Sequence, residues 1–316
     1  MDRPLVVITG PTATGKTRLA CELALRLPRA QIVSVDSRQV YRYADIGTAK
    51  PSAQDRARVP HHLLDIVDPD RQYSAGEYGQ QARGVLRALW QQGLVPLLVG
   101  GSGLYLQAVL DGLFAEDPGY RSAAAARRLH LRHRLAAEGV GPLYAELGRL
   151  DPAAQARIGP ADAPRILRGL EVAGHRPTGP GREDAPLECL PLAFCLYRER
   201  ARLYDRIDAR VDEMLAAGLV GETEALVARG YGRGCPAMGP MGYEEMLDYL
   251  DGRCSLAQAS QRVKERSRHY GKRQLTWFRR DRRLRWLDLD VWGQSGCLQR
   301  IVLQVGRTWP HLRVPC

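Results

Sequence analysis

Apolar runs and stretches of helical spacing alternate along the first hundred residues. The run at residues 5–9 is continuous and largely β-branched, which predicts a strand buried on both faces of a parallel sheet. The same pattern predicts strands at residues 31–35 and 95–99 and helices at residues 16–27 and 74–92. This alternation predicts a doubly wound, parallel α/β sheet whose ligands bind at the carboxyl ends of the strands.

The later part of the chain is mainly helical in pattern. Alanine and arginine dominate residues 117–173, which predicts a helical insertion, and a connector rich in proline and glycine follows at residues 177–191. One more strand is predicted at residues 192–197, and helices at residues 202–217, 220–229, 243–250 and 255 to about 279. The predicted segments are the first part of an α/β core (1–115), a helical insertion (116–180), the completion of the core with basic helices (181–290) and a tail (291–316) for which the pattern predicts nothing.

Composition is that of an ordinary globular protein. The 316 residues suffice to bury a core without disulfides, and no apolar run approaches the ~20 residues that span a bilayer. The seven cysteines are odd in number, widely spaced and never arranged as CxxC, which argues against a zinc ribbon or a disulfide scaffold. We expect a cytoplasmic, monomeric protein that does not bind membranes.

The net charge of +11 is concentrated in one segment. Eleven basic and two acidic residues lie within residues 258–285, here called the basic segment, and Tyr270, Trp277 and Phe278 are interleaved with them. Arginines hold phosphates and aromatic rings stack on bases, so the pattern fits a nucleic acid; a solvated helix face is the alternative. Lysine is scarce in this chain, and the lysines are Lys16, Lys50, Lys264 and Lys272.

A glycine-rich motif follows the first predicted strand directly. It fits GxxxxGK[ST], and its residues are Gly10, Pro11, Thr12, Ala13, Thr14, Gly15, Lys16 and Thr17. Backbone N–H groups of such a loop cradle phosphates at the N-terminus of the next helix, the lysine neutralises their charge, and the Thr17 hydroxyl can bind Mg²⁺. The motif predicts a polyphosphate or pyrophosphate site in a fold like that of P-loop NTPases, without identifying the molecule that carries the phosphates.

A carboxylate at the end of the second predicted strand is the candidate catalytic group. NTPases with this loop place a metal-binding Asp after the strand that here ends at residue 99, but Gly100, Gly101 and Ser102 follow it. Asp36 instead faces the phosphate loop as a general base or a metal ligand, and a helix cap is the structural alternative. A small-molecule kinase and an NTPase stimulated by nucleic acid therefore stay open as alternative functions.

Blocks of sequence typical of one enzyme family run in order from residue 5 to about 287. They are GPTATGKT (10–17), VDSRQVYRYADIGTAKP (35–51), HHLLDI (61–66), YSAGEY (73–78), LLVGGSGLYLQAVLDGL (97–113), DPAAQARIGPADAPRILRGLEV (151–172), LYDRIDARVDEML (203–215), GY (242–243) and KRQLTWFRR (272–280). In these blocks the chain resembles the tRNA dimethylallyltransferases, also called tRNA isopentenyltransferases.

The resemblance implies transfer of a dimethylallyl group from dimethylallyl pyrophosphate to N6 of adenine 37, beside the anticodon, in tRNAs that read codons beginning with U. Mg²⁺ is the implied cofactor. Asp36 matches the family's proposed base, Arg210 matches a pyrophosphate contact, and Ser102 stands where the family usually has threonine. Implied contacts to the tRNA anticodon stem-loop fall on Ser37, Arg38, Gln39, Arg165, Arg168, Gly242, Tyr243, Lys272, Arg273, Gln274, Trp277 and Arg279.

Overall fold

The computed structural model describes residues 3–112, 118–173, 186–239 and 242–312, and the chain folds into two compact units. The first unit comprises Met1–Leu110 with Leu187–Cys316, and the second comprises Asp111–Pro186. The predicted insertion, residues 116–180, has both of its ends outside the described residues.

One parallel sheet organises the first unit. Its six strands are β1 (Val6–Thr9), β2 (Ala30–Ser34), β3 (His61–His62), β4 (Val95–Gly100), β5 (Leu192–Tyr197) and β6 (Arg285–Asp288), in the order β3-β2-β4-β1-β5-β6. The central strand β1 pairs with β4 on one side and with β5 on the other. The predicted doubly wound α/β fold is confirmed.

The described helices belong to both units, and those of the first unit connect the strands and cover the sheet. They are α1 (Lys16–Arg26), α2 (Ala53–Arg58), α3 (Ala75–Gln91), α4 (Gly103–Leu110), α5 (Pro118–Glu138), α6 (Val140–Leu150), α7 (Pro152–Gln155), α8 (Ala163–Ala173), α9 (Arg200–Ala216), α10 (Leu219–Ala228), α11 (Tyr243–Leu250), α12 (Leu256–Phe278) and α13 (Leu289–Thr308). Ser52, Ser74 and Ser255 begin α2, α3 and α12 with reciprocal capping boxes, which fixes these helix starts. Among the described residues, no helix is long and apolar enough to cross a membrane.

Alternate residues of β1 enter two different apolar layers. Val6 and Ile8 pack in the layer formed with α1 and α13, whereas Val7 packs in the layer formed with α3, α4 and α10 to α12. Every side chain of β1 is therefore buried, which is the physical reason for its continuous apolar run. The second unit has a small core of its own, centred on Leu143 and Leu147.

The segment after residue 287 departs from the prediction. Residues 289–308 form α13, and its Leu298, Ile301 and Val305 are fully buried against the sheet. The segment assigned to a tail is therefore part of the core as far as Trp309, which is also buried. Gly293 adopts φ 61° and breaks the helical path near its start, so the apolar spacing is interrupted where the pattern would be recognised.

Candidate active site

The glycine-rich loop joins β1 to α1 with a backbone that only small residues allow. Gly10 adopts φ 140°, and a Cβ there would lie 2.3 Å from the backbone oxygen of Leu196. Thr14 Oγ1 donates a hydrogen bond to the backbone oxygen of Pro11 at 2.8 Å, which closes the loop on itself. Gly15 precedes α1 without a side-chain cap, so the first N–H groups of the helix stay available to an anion.

Two cations converge on this loop. Lys16 Nζ donates to the backbone oxygen of Pro11 at 2.7 Å, and burial together with the Arg210 guanidinium lowers the pKa of Lys16 to about 8. Burial also lowers the pKa of Arg210, which forms no hydrogen bond or ion pair with another described residue. Two desolvated cations that repel each other favour an anion between them.

Asp36 lies opposite these cations at the carboxyl end of β2. Its Oδ1 accepts hydrogen bonds from the backbone N–H groups of Arg38 at 2.9 Å and Gln39 at 3.4 Å. Its Oδ2 has no hydrogen-bond partner within the described ranges. One oxygen therefore holds a turn at residues 37–40, where the structure has no helix for Asp36 to cap, while the other is available to accept a proton or bind a metal.

The ends of β2 and β4 are joined next to Asp36. Ser102 Oγ accepts a hydrogen bond from the backbone N–H of Ser37 at 2.9 Å, and the Ser102 N–H donates to the oxygen of Val35 at 3.2 Å. A Cβ on Gly100 would lie 2.0 Å from the same Val35 oxygen, so this close approach requires glycine. Tyr270 contacts the Ser102 hydroxyl, and burial raises the pKa of Tyr270 to about 12.

Two neighbouring cavities meet at this point. The larger encloses about 1080 Å³ and is lined by the glycine-rich loop, Asp36 and Arg210. The smaller encloses about 400 Å³ and is rich in aromatic side chains; its lining includes Ser37, Arg38, Tyr41, Tyr73, Tyr105, Arg273 and Trp277. Gly101, Tyr270 and Gln274 line both cavities and so form the boundary between them.

The oxygen groups in the larger cavity fit Mg²⁺ only if a ligand completes the site. The Thr17 hydroxyl lines the cavity without a hydrogen-bond partner in the described part of the chain, and Asp36 lines the same cavity. Among the described residues there is no group of three or more His, Cys, Asp or Glu side chains that would hold a metal. Mg²⁺ keeps waters and takes phosphate oxygens readily, so hydroxyl, carboxylate and pyrophosphate oxygens form a suitable donor set.

Comparison with known proteins identifies the family. The IPP transferase family model matches residues 39–281, which is more than half of the chain. A tRNA dimethylallyltransferase of Desulforudis audaxviator is 45% identical over 309 residues, 95% of this chain and 96% of that protein. Another, from Geobacter sulfurreducens, is 45% identical over 294 residues, 90% of this chain and 91% of that protein. The chain belongs to the IPP transferase family.

A solved structure agrees with this assignment. The full-length tRNA isopentenylpyrophosphate transferase of Bacillus halodurans superposes with a TM-score of 0.68 at 37% identity, covering 97% of this chain and 98% of that one. The likeness therefore includes α13 and both compact units.

In this IPP transferase the basic segment has two different halves. In the first half, basic side chains pair with carboxylates on α9 and α11: Arg262 with Asp248, Lys264 with Asp212, Arg266 with Glu244 and Glu245, and Arg268 with Asp208. Exposed cations without an ion pair to any described residue follow in the second half; they are Lys272, Arg273, Arg279, Arg280, Arg282 and Arg285. The solvated-face alternative fits the first half, and a polyanion fits the second.

Three of the predicted tRNA contacts, Gln39, Tyr243 and Gln274, have buried side chains that are bonded inside the protein. Tyr243 is fully buried, and its hydroxyl donates to Glu222 Oε1 at 2.6 Å. The Gln39 amide is bonded to Ser34 and to the backbone oxygens at positions 48 and 49. The Gln274 amide is bonded to Thr12 and Gly101. The structure gives these three side chains internal bonds, and their contacts with RNA stay predictions.

The other predicted contacts lie in different surroundings. Arg38 Nη1 donates to the backbone oxygen of Pro236 at 3.1 Å, and Gly242 caps α11 at φ 101°. In the second unit, Arg165 and Arg168 lie on α8, beside Asp162 at 3.5 Å and Glu171 at 3.0 Å respectively. Their contacts with RNA stay predictions.

Lys50, one of the few lysines of this chain, forms a buried network of polar contacts. Its side chain is 1% exposed, and Nζ lies 2.6 Å from Asp45, 2.5 Å from Asp65 and 2.6 Å from the backbone oxygen of Tyr41. These contacts hold the loop that follows Asp36, in which Tyr43 and Ala49 adopt positive φ. Lys50 also lines the larger cavity.

We expect Lys50→Met to lower the free energy of unfolding by about 1 to 3 kcal/mol, since it leaves the Tyr41 backbone oxygen without its donor and removes a cation that bonds to two partly exposed carboxylates. Urea unfolding measures the change. The same substitution at exposed Lys272 is the control and will change the free energy of unfolding by about 0.5 kcal/mol or less. Equal effects of the two substitutions would contradict a locking role for Lys50.

Proposed function

We propose that this IPP transferase moves a dimethylallyl group from dimethylallyl pyrophosphate to the exocyclic N6 of adenine 37 in tRNAs that read codons beginning with U. The observation that carries the proposal is the unpartnered Oδ2 of Asp36, a residue that lines the cationic cavity, while the next residue, Ser37, lines the aromatic one. The names of the 45% identical relatives support the same activity.

The larger cavity suits the prenyl donor. Loop N–H groups, Lys16 and Arg210 bind the pyrophosphate, whose negative charge grows as the allylic C–O bond breaks and the electron pair leaves with it. The Thr17 hydroxyl would hold Mg²⁺ in this cavity, and the metal would supply further neutralisation of that charge. The desolvated state of both cations makes their interaction with the leaving group stronger than it would be in water.

The smaller cavity suits the acceptor base. Tyr41, Tyr105 and Trp277 offer apolar and aromatic surface to an adenine that has left the stack of the anticodon loop. The N6 lone pair is conjugated into the ring and is a weak nucleophile. As the C–N bond forms, the N6 proton passes to Asp36 Oδ2, which is available because Oδ1 alone holds the turn.

Incubation with radiolabelled dimethylallyl pyrophosphate, Mg²⁺ and unmodified tRNA, followed by nucleoside analysis, tests the proposal. We expect label in N6-dimethylallyl adenosine at position 37 and no consumption of ATP. Consumption of ATP with a small hydroxyl acceptor, or ATP hydrolysis stimulated by RNA, would instead indicate the kinase or the NTPase.

The exposed cations without an ion pair in the second half of the basic segment are expected to carry the salt dependence of RNA binding. Lys272→Ala combined with Arg273→Ala will lower tRNA affinity and flatten its salt slope by roughly one unit for each RNA phosphate that these cations neutralise. Filter binding between 50 and 200 mM salt, on the order of the range where such interactions weaken, gives the slope.

The matched control replaces one arginine and one lysine of the same helix that are already paired. Arg262→Ala combined with Lys264→Ala removes cations bonded to Asp248 and Asp212, so the slope is expected to stay unchanged. A slope that flattens equally in both double variants would show that overall charge, and not this half of the segment, binds the RNA.

A further inference from the structure

One side chain of α12, Gln274, lies buried where the two cavities meet. Its Oε1 accepts a hydrogen bond from the backbone N–H of Thr12 at 2.9 Å, and its Nε2 donates to the backbone oxygen of Gly101 at 2.8 Å. The first bond reaches the phosphate-binding loop, and the second reaches the residue before Ser102. A single amide thus joins α12 to both edges of the candidate active site.

These two bonds require an amide. A primary amide donates hydrogen bonds from its nitrogen and accepts them at its oxygen. The Gln274 amide also fits tightly between Thr12 and Gly101. A Cβ on Gly101 would lie 2.3 Å from Gln274 Nε2. If the amide moved, the Thr12 N–H and the Gly101 oxygen would be left without partners, which is costly for partly buried groups.

The neighbours of Gln274 along α12 belong to the surface that is proposed to bind RNA. Lys272 and Arg273 precede it and are exposed, and Trp277 follows one turn later. Arg273 and Trp277 line the smaller cavity. Because an α-helical turn moves as a unit, any ligand that fixes Arg273 and Trp277 also fixes Gln274.

We propose that Gln274 is a positioning residue that couples RNA bound on α12 to the pyrophosphate-binding loop, so that the two substrates bind cooperatively. This inference rests on the proposed function. Bound RNA orders the turn of α12 that carries Gln274, and Gln274 then holds the Thr12 N–H in its pyrophosphate-binding position. Pyrophosphate bound to the loop orders the same turn of α12 for RNA. Thermodynamic linkage makes the two effects equal in size.

Equilibrium binding measures the coupling directly. The ligands are an unmodified anticodon stem-loop RNA and dimethylallyl thiopyrophosphate, in which a bridging sulfur slows departure of the pyrophosphate. In the wild type, each ligand at saturation is expected to lower the Kd of the other by the same factor, within roughly 5- to 150-fold. In Gln274→Met the factor falls to about one, while the Kd for RNA alone stays close to that of the wild type.

Gln261→Met is the matched control. Gln261 lies on the same helix, is exposed and bonds only to Glu265 in the described structure, so its variant is expected to keep the wild-type coupling factor. A Gln274→Met variant that weakens each ligand but keeps the coupling factor would overturn the proposal, because a merely structural role behaves in that way. A coupling factor of one in the wild type would also overturn it.

A second variant tests whether Gln274 couples the two ligands if Gln274→Met does not fold. Gln274→Glu keeps the acceptor for the Thr12 N–H and replaces the donor to Gly101 with an oxygen, so loss of coupling supports the proposal and retention contradicts it. Failure of the proposed function is distinct, because the wild type would then transfer no prenyl group to tRNA at all.

Discussion

Asp36→Asn is expected to lower the rate of prenyl transfer by about 10²- to 10⁴-fold with both substrates saturating. The asparagine oxygen still accepts the backbone N–H groups of Arg38 and Gln39, so the turn keeps its geometry. What changes is the second position of the carboxylate, where an amide NH₂ cannot take the proton from N6. Single-turnover prenylation measured across a range of Mg²⁺ concentrations gives the rate.

Two further results separate the roles that Asp36 can play. If its main role is to bind Mg²⁺, more Mg²⁺ will partly restore the rate of Asp36→Asn; as a general base, Asp36 gives no such recovery. Asp212→Asn, a control on an exposed carboxylate paired with Lys264, is expected to react at the wild-type rate. A near-normal rate in Asp36→Asn would leave the carboxylate with only its role in the turn.

The central strands and the phosphate loop were predictable because the residues that each one requires are adjacent in the sequence. A strand buried on both faces needs a continuous apolar run, and β1, β4 and β5 each have one. The loop needs glycine at Gly10 and Gly15, where φ is positive, and a lysine after the second. Each requirement is met by residues that are adjacent in the sequence.

The edge strands and the last helix were not predictable for the opposite reason. β3 consists of two histidines, and β6 reads RWLD, so neither presents an apolar run. Both strands form by pairing with longer neighbours, β2 and β5. The burial of α13 likewise depends on a sheet face that it shares with α1.

In the candidate site, the position of a side chain at a strand end was predictable, whereas the tertiary contacts of the named residues were not. Asp36 follows a predicted strand, so its position near the loop could be inferred. Gln274 lies 262 residues from Thr12, and only the fold brings them together. The partners of the basic segment lie on α9 and α11, so counting its charges gave the total without showing which cations remain unpaired.

Lys16→Ala is expected to lower kcat/KM for the prenyl donor by about 10²- to 10³-fold and to leave tRNA binding nearly intact. The reason is that Lys16 lies in the phosphate-binding loop, where its charge would face the leaving pyrophosphate, whereas Lys272 and Arg273, the exposed cations of the second half of α12, are not among the residues that line the larger cavity. Donor titrations and tRNA titrations of the variant separate the two effects. An equal loss of tRNA affinity would contradict the assignment.

The same lysine predicts how donor affinity depends on pH. The pKa of free Lys16 is about 8, and a bound pyrophosphate favours the charged form, so the pKa of Lys16 rises in the complex. Below pH 8, Lys16 is charged in both states and causes no change in donor affinity with pH. Above pH 8, donor affinity falls by up to about tenfold for each pH unit, until the pKa of Lys16 in the complex is reached.

Lys16→Arg keeps its charge over this range, so the fall is expected to disappear even if the donor binds more weakly. Cys195 and Tyr270, the nearby thiol and phenol, have pKa values raised to about 12 and do not produce such a fall between pH 8 and 10. A fall that persists in Lys16→Arg would mean that another group controls donor binding.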